Sequence, residues 1–147
     1  MRSVEEIRGE LYRIADLPEA DLAAAALWIA AEAYPELAPA AYLRYLDDVA
    51  SAVSARIPDA GDPDAARDAL SEEIFVRQDF AGNATEYYDP RNSYLNDVID
   101  RRRGIPITLA VVYLSIGRRL GMPVHGVNAP GHFLVRHGGR VLDPFAR

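Results

Sequence analysis

The stretch RGIPITLAVVYLSIGRRLGMPVHGVNAPGHFLVRHGGRVLDPF, residues 103–145, decides the fold that we predict for this chain. Pro106 stands where a helix tolerates proline, at its first position, because an N–H there has no partner within the helix. Apolar residues then recur at helical spacing and predict a central, largely buried helix. Its apolar face is formed by Leu109, Val112, Tyr113, Ile116 and Leu120.

Three strand candidates follow this helix, at residues 124–128, 132–137 and 140–143. Gly138 and Gly139 separate the last two strands and predict a two-residue hairpin with a type I′ turn, because that turn needs positive φ at both central positions. The register of such a hairpin pairs His137 with Arg140.

The same register places His132 and Asp143 on one face as diagonal neighbours, about 7 to 8 Å apart at the backbone. We expect a hydrogen bond from the imidazole to the carboxylate, the arrangement in which an aspartate orients a catalytic histidine. The alternative is a histidine with a local hydrogen bond and an aspartate that ends a strand. Metal binding is not favoured, because His132 and His137 point to opposite faces; we expect no metal and no cofactor.

Upstream, residues 1–78 are predicted to form a bundle of amphipathic helices. The helical segments are expected at about residues 4–14, from just after Pro18 to near Pro35, at 39–57 and at 63–77. The inner face expected for the second, alanine-rich helix comprises Leu22, Ala26, Ile29 and Ala33.

Residues 79–104 add loops and one more helix, for which Asn92 or Ser93 is the expected cap and Gly104 the expected end. We expect the three arginines 101–103 to close that helix rather than to form an anion site. Helices first and a small antiparallel sheet last predict an α+β fold. We expect a single domain, residues 1–147, in which the helical part packs on a core of residues 79–147.

Composition excludes several classes of protein. The chain has no cysteine, so disulfides, thiolate metal sites and cysteine nucleophiles are ruled out. The net charge of -6 argues against nucleic acid as a partner. No apolar run approaches the roughly 20 residues that span a bilayer, and the N-terminus lacks the apolar centre of a signal peptide. We therefore expect no membrane contact and a cytoplasmic location.

Five pieces occur in order along the second half of the chain: YYDPRNSYLNDV, RRRGIPITLAVVYL, RRLGMPV, PGHFLVR and LDPF. Together they resemble the SirB-type branch of the transglutaminase-like superfamily, over about residues 79–147. The resemblance implies a papain-like core in which a helix N-terminus carries a cysteine and the following strands carry a histidine and an aspartate. By this resemblance His132 matches the histidine, Asp143 matches the aspartate, and Pro106 stands in place of the cysteine.

That replacement removes the expected nucleophile. Proline has neither a nucleophilic atom nor an N–H, so cysteine-dependent transglutaminase or protease chemistry is not expected. Thr108 is the hydroxyl of the first helical turn and the candidate substitute, provided that His132 lies within hydrogen-bond reach. The alternative is a threonine that bonds to nearby backbone.

The resemblance thus implies a transglutaminase-like domain that acts as a regulatory or protein-binding module. Its expected cleft is lined by His132, Asp143, Pro106, Asn92 and Tyr88. The expected partner is a protein or peptide, and the oligomeric state is left open. Two alternatives remain: a hydrolase or acyltransferase that uses Thr108 or a water activated by His132, and a purely structural histidine and aspartate. Because relatives in this branch typically continue into further helices, we also expect a truncated or minimal form.

Overall fold

Residues 1–17, 20–57 and 61–146 are described by the computed structural model. The helices in these ranges are α1 (Val4–Ala15), α2 (Leu22–Ala33), α3 (Pro39–Ser54), α4 (Pro63–Glu72), α5 (Leu95–Arg101) and α6 (Pro106–Arg119). The strands are β1 (Ala81–Gly82), β2 (Arg103–Gly104), β3 (Val124–Ala129), β4 (His132–His137) and β5 (Arg140–Leu142). A π-helical turn, Glu73–Arg77, extends α4, and a 3₁₀ turn, Pro90–Ser93, precedes α5. The fold is α+β, as predicted.

The helices begin where side chains satisfy their free N–H groups. Ser3 caps α1 in a capping box with Glu6, in which each side chain accepts a hydrogen bond from the other residue's backbone N–H. Asp21 caps α2, and Asp62 caps α4 just before a first-turn proline. None of the helices in the described ranges is long and apolar enough to cross a membrane.

The predicted inner face of α2 was wrong. Ile29 is 52% exposed, and the buried residues of this helix are Ala23, Ala24, Leu27, Ala30 and Ala31. Nearly every residue of α2 is apolar. Periodicity therefore leaves the direction of its inner face undefined, and the packing of neighbouring helices decides which side is buried.

Helix α6 lies in the middle of the core, as predicted. The residues of its apolar face that are buried are Leu109, Val112, Tyr113 and Ile116. A methyl group on Gly117 would lie 3.0 Å from the side chain of Val124, so the helix and strand β3 approach closely at this glycine. The antiparallel sheet β3-β4-β5 therefore packs directly on α6.

The register of the hairpin is as predicted, with His137 opposite Arg140. The turn itself differs, because only Gly138 of the two glycines has positive φ, at 59°. A type I′ turn needs both, so that assignment was wrong. Strand β5 also ends one residue early, at Leu142, and the ladder stops at the pair of Val135 with Leu142.

The segment between the bundle and α6 departs most from prediction. Helix α5 ends at Arg101, and Arg102 takes a left-handed conformation with φ of 60°. The next two residues form β2, which pairs in parallel with β1. The helix is therefore not closed by three arginines or by Gly104. Neither Asn92 nor Ser93 caps it, because the N-cap position belongs to Tyr94.

Candidate functional site

Thr108 lies buried in the first turn of α6, and its hydroxyl is fully engaged by backbone. Its Oγ1 donates to the carbonyl oxygen of Asn92 at 2.8 Å and lies 3.2 Å from that of Ile105. The N–H of Ile105 in turn donates to Oγ1 of Thr108 at 3.1 Å. The hydroxyl thereby joins the N-terminus of α6 to the 3₁₀ turn that contains Asn92, which is a structural role.

Asn92 forms the centre of a buried amide network. Its Oδ1 accepts a hydrogen bond from Nδ2 of Asn83 at 3.0 Å. Its own Nδ2 donates to the carbonyl oxygens of Glu86 and Tyr87 at 2.8 and 3.0 Å. The side chain therefore holds the loop of residues 83–92 in shape, because buried amides are stable only when their hydrogen bonds are satisfied.

Asn83 belongs to this network and was not predicted from the sequence as a site residue. Its N–H donates to the carbonyl oxygen of Gly104, and its Oδ1 accepts from the N–H of Glu86. From the sequence, this residue fell only within the loops expected in residues 79–104. A polar residue beside the buried Phe80 and Ala81 would have been the available clue.

Pro106 occupies the first position of α6, as predicted. Two residues earlier, neighbouring side chains leave little room beside the backbone of Gly104. A methyl group on Gly104 would lie 2.7 Å from Oγ1 of Thr108 and 3.1 Å from Val98. The glycine of this motif is therefore required for close packing around the threonine. The helix tip presents a proline ring where the resemblance implies a thiol.

His132 and Asp143 are not joined by the expected hydrogen bond. The carboxylate of Asp143 accepts from the N–H groups of Phe145 and Ala146 at 3.0 and 3.3 Å, which shapes the turn after β5. The imidazole of His132 is exposed, and within the described ranges it has no side-chain hydrogen bond or ion pair. Burial explains the orientation, because Val135 and His137 turn toward the core and residues with the opposite strand parity turn outward.

Three aromatic side chains meet beside this turn. Tyr87 makes edge contacts with Tyr88 and Phe145, at ring-centre distances of 5.3 and 5.8 Å. Phe145 lies against the backbone of Gly82, where a methyl group would be 2.5 Å from the ring. Tyr88 is 92% exposed and Tyr87 42% exposed. We call Tyr87, Tyr88 and Phe145 the aromatic cluster.

A second polar pair, Tyr113 with His137, lies in the core at the other end of β4. The phenol oxygen lies 2.6 Å from Nδ1 of the imidazole. Burial raises the pKa of Tyr113 to about 12, and burial together with the charge of Arg67 lowers the pKa of His137. Both groups are therefore neutral, and the phenol donates to Nδ1 in the tautomer that carries the imidazole hydrogen on Nε2. A tyrosine in the buried helix face was the clue, because its hydroxyl needs a partner.

Comparison with known proteins places the chain among proteins of one superfamily. The model of the transglutaminase-like superfamily matches residues 40–147, which extends the likeness upstream of residue 79 into α3. A UPF0162 protein of Xylella fastidiosa is 41% identical over 128 residues, 84% of this chain and 46% of that protein. A UPF0162 protein of Pseudomonas aeruginosa is 38% identical over 122 residues, 82% of this chain and 45% of that protein.

F-box only protein 21 of Homo sapiens is 44% identical over 82 residues, which is 53% of this chain and 13% of that protein. No solved structure matches the chain. The chain spans about half the length of the UPF0162 proteins that it matches. Because the superfamily model covers well over half of the sequence, the chain belongs to the transglutaminase-like superfamily.

Proposed function

We propose that this transglutaminase-like domain works without covalent acyl chemistry and binds another protein or peptide. The observation that carries the proposal is the hydrogen bond from Thr108 Oγ1 to the carbonyl oxygen of Asn92. A serine or threonine nucleophile needs a base that takes its proton, and here the hydroxyl donates that proton in a hydrogen bond to a buried backbone oxygen.

The state of the other two motif residues supports the same proposal. Asp143 is engaged by backbone N–H groups and does not hold the ring of His132. An imidazole without an orienting partner has no fixed tautomer or direction, and those are the properties that acid-base catalysis requires. Pro106 adds no group that could be acylated.

The aromatic cluster is the surface that we assign to the partner. Exposed tyrosines bury a large area and keep a polar end at the rim, and aromatic residues are enriched at protein interfaces. Tyr88 is almost wholly exposed, yet its ring rests on Tyr87, which in turn rests on Phe145. Tyr88 thus offers a large exposed aromatic surface for a partner to bury.

The distribution of the matching segment supports a modular role. The match over 128 residues makes up 46% of the Xylella protein, and the shorter match over 82 residues makes up 13% of F-box only protein 21. A domain that recurs as a part of chains of such different size is typical of a unit that contributes one interaction to a larger protein.

Affinity capture with variants of the whole protein tests the proposal. We expect Tyr88→Ala to lose partners that the wild type captures, because the substitution removes the exposed ring. Tyr12→Ala, which removes a ring 67% exposed on α1, is the matched control and should retain them. Identical capture by wild type and Tyr88→Ala would contradict the surface assignment. If His132→Ala keeps partner binding but abolishes turnover of an acyl substrate, the non-catalytic proposal fails.

A further inference from the structure

A cavity of about 430 Å³ opens at the turn between β4 and β5, at the opposite end of β4 from the aromatic cluster. Its wall includes the first turns of α4, the segment that leads into β3, and the glycine turn between β4 and β5. The polar side chains that line it are Asp64, Arg67, His137 and Arg140. None of these residues belongs to the family motif site discussed above. The volume is that of a small-molecule pocket.

His137 is a buried residue in the wall of the cavity. The side chain is 5% exposed, and its Nδ1 lies 2.6 Å from the hydroxyl oxygen of Tyr113. In the tautomer that accepts the hydrogen bond of the phenol at Nδ1, the neutral ring carries its hydrogen on Nε2. Within the described ranges, Nε2 has no hydrogen-bond partner, although the residue forms part of the cavity wall. In that tautomer, the N–H at the cavity wall can donate to an acceptor on a ligand.

Two guanidinium groups line the same cavity. Arg67 has a side chain 12% exposed and pairs with the exposed carboxylate of Asp64 at 2.9 Å. It lies close enough to the imidazole for its charge to lower the pKa of His137. Arg140, at the turn, has no ion pair within the described part of the chain. Among the described residues that line the cavity, two cations face one carboxylate, in a protein whose net charge is -6.

We propose that this cavity binds a small phosphorylated molecule, with its phosphate group held by Arg67, Arg140 and Nε2–H of His137. Guanidinium groups bind phosphate oxygens in pairs through parallel hydrogen bonds, and a neutral imidazole N–H supplies a third donor. Met122, Pro123 and Ala66 complete the wall and provide apolar contact for an organic part. Asp64 does not block the site, because its carboxylate is itself exposed, and the pair with Arg67 yields to a more highly charged anion.

Titration of the full chain with inorganic phosphate, followed by NMR, tests this site. The signals to follow are the ring of His137 and the amides of Gly138 and Gly139, with sodium chloride at equal ionic strength as the reference. We expect saturation with a Kd of about 1 mM or tighter. Absence of saturation by about 10 mM phosphate would overturn the proposal. A Kd for acetate equal to that for phosphate would also overturn the proposal, because the site would then bind carboxylates as well as phosphates.

Variants separate this site from general attraction of anions. Arg140→Gln and Arg67→Gln should each weaken phosphate binding about tenfold, the loss of one charge-assisted contact. Asp64→Asn should tighten it, because the internal competitor for Arg67 is removed. Arg77→Gln, which removes an exposed cation that pairs with Glu72, is the control and should change nothing. Equal weakening by Arg77→Gln and Arg140→Gln would show that only the overall charge of the protein matters, and it would overturn the proposed site. Arg140 is exposed at a turn, so its variant keeps the test valid if Arg67→Gln fails to fold.

Discussion

The hydroxyl of Thr108 has three polar neighbours within hydrogen-bond distance, all of them backbone atoms. Replacement of this hydroxyl by a methyl group therefore tests whether the role of Thr108 is structural or catalytic. Thr108→Val keeps the size of the side chain but leaves the carbonyl oxygen of Asn92 and the N–H of Ile105 without this partner. We expect it to lower the free energy of unfolding by about 1 to 3 kcal/mol.

Urea unfolding of Thr108→Val and Thr108→Ser measures this effect. The serine variant retains the hydroxyl and should lose less stability than the valine variant. Equal losses in the two variants would mean that the hydroxyl is not engaged as described, and that its proton is free for chemistry.

His137 predicts how stability depends on pH. Its folded-state pKa lies below the value of about 6.5 that it has when unfolded, so the unfolded chain binds more protons between those two values. Its contribution to stability is complete above about pH 6.5 and declines as the pH falls through the lowered pKa. Unfolding experiments from pH 7.5 downward should show this decline in the wild type.

His137→Phe is the comparison for that experiment. The variant leaves the hydroxyl of Tyr113 without its acceptor, so it should be less stable at every pH. Its free energy of unfolding should nevertheless change less with pH just below 6.5, because the titrating group is gone. A slope equal to that of the wild type would contradict the buried, neutral state of this histidine.

At the scale of elements, Gly104 shows how closely the start of α6 is packed. Gly104→Ala would place a methyl group 2.7 Å from Oγ1 of Thr108 and should destabilise the protein by about 1 to 3 kcal/mol. Gly9→Ala is the control, because nothing lies within 4 Å of a methyl group there and α1 is helical. That control should stabilise by about 0.5 to 1 kcal/mol. Thermal unfolding that shows the two changes with the same sign would contradict this packing.

The elements also show which features the sequence could predict. Proline at the start of α6, its apolar spacing and the Gly138-Gly139 turn are local signals, and the helix, the strand order and the register followed from them. The inner face of α2 and the short pair of β1 with β2 depend on contacts between distant segments. Local pattern does not encode such contacts, which is why the two features were mistaken or missed.

The residues of the candidate site could be predicted from the sequence, but the contacts of their side chains could not. The motif residues His132, Asp143, Pro106 and Thr108 could be named from spacing and resemblance. The partners of their side chains could not, because Asp143 bonds to the turn that follows it and Thr108 bonds to a carbonyl 16 positions earlier. A hydroxyl or carboxylate at a motif position has several acceptors or donors within reach, and only the folded chain selects among them.

At the scale of the whole molecule, the structure separates two regions by their chemistry. One is the aromatic cluster beside the motif residues, where the exposed rings suit a protein partner. The other is the cavity at the opposite end of β4, where His137 and two arginines suit a phosphate group. Helix α6 connects the regions, because its first turn holds Thr108 and its middle holds Tyr113.

Mass spectrometry of the protein after treatment with an activated acyl ester tests the central claim most directly. We predict that peptide mapping finds no acyl group on Thr108, because the hydroxyl is bonded to the carbonyl oxygen of Asn92 in the core. An acyl group on Thr108 that disappears in His132→Ala would contradict the account, since it would require a histidine-activated hydroxyl where the structure has a structural one.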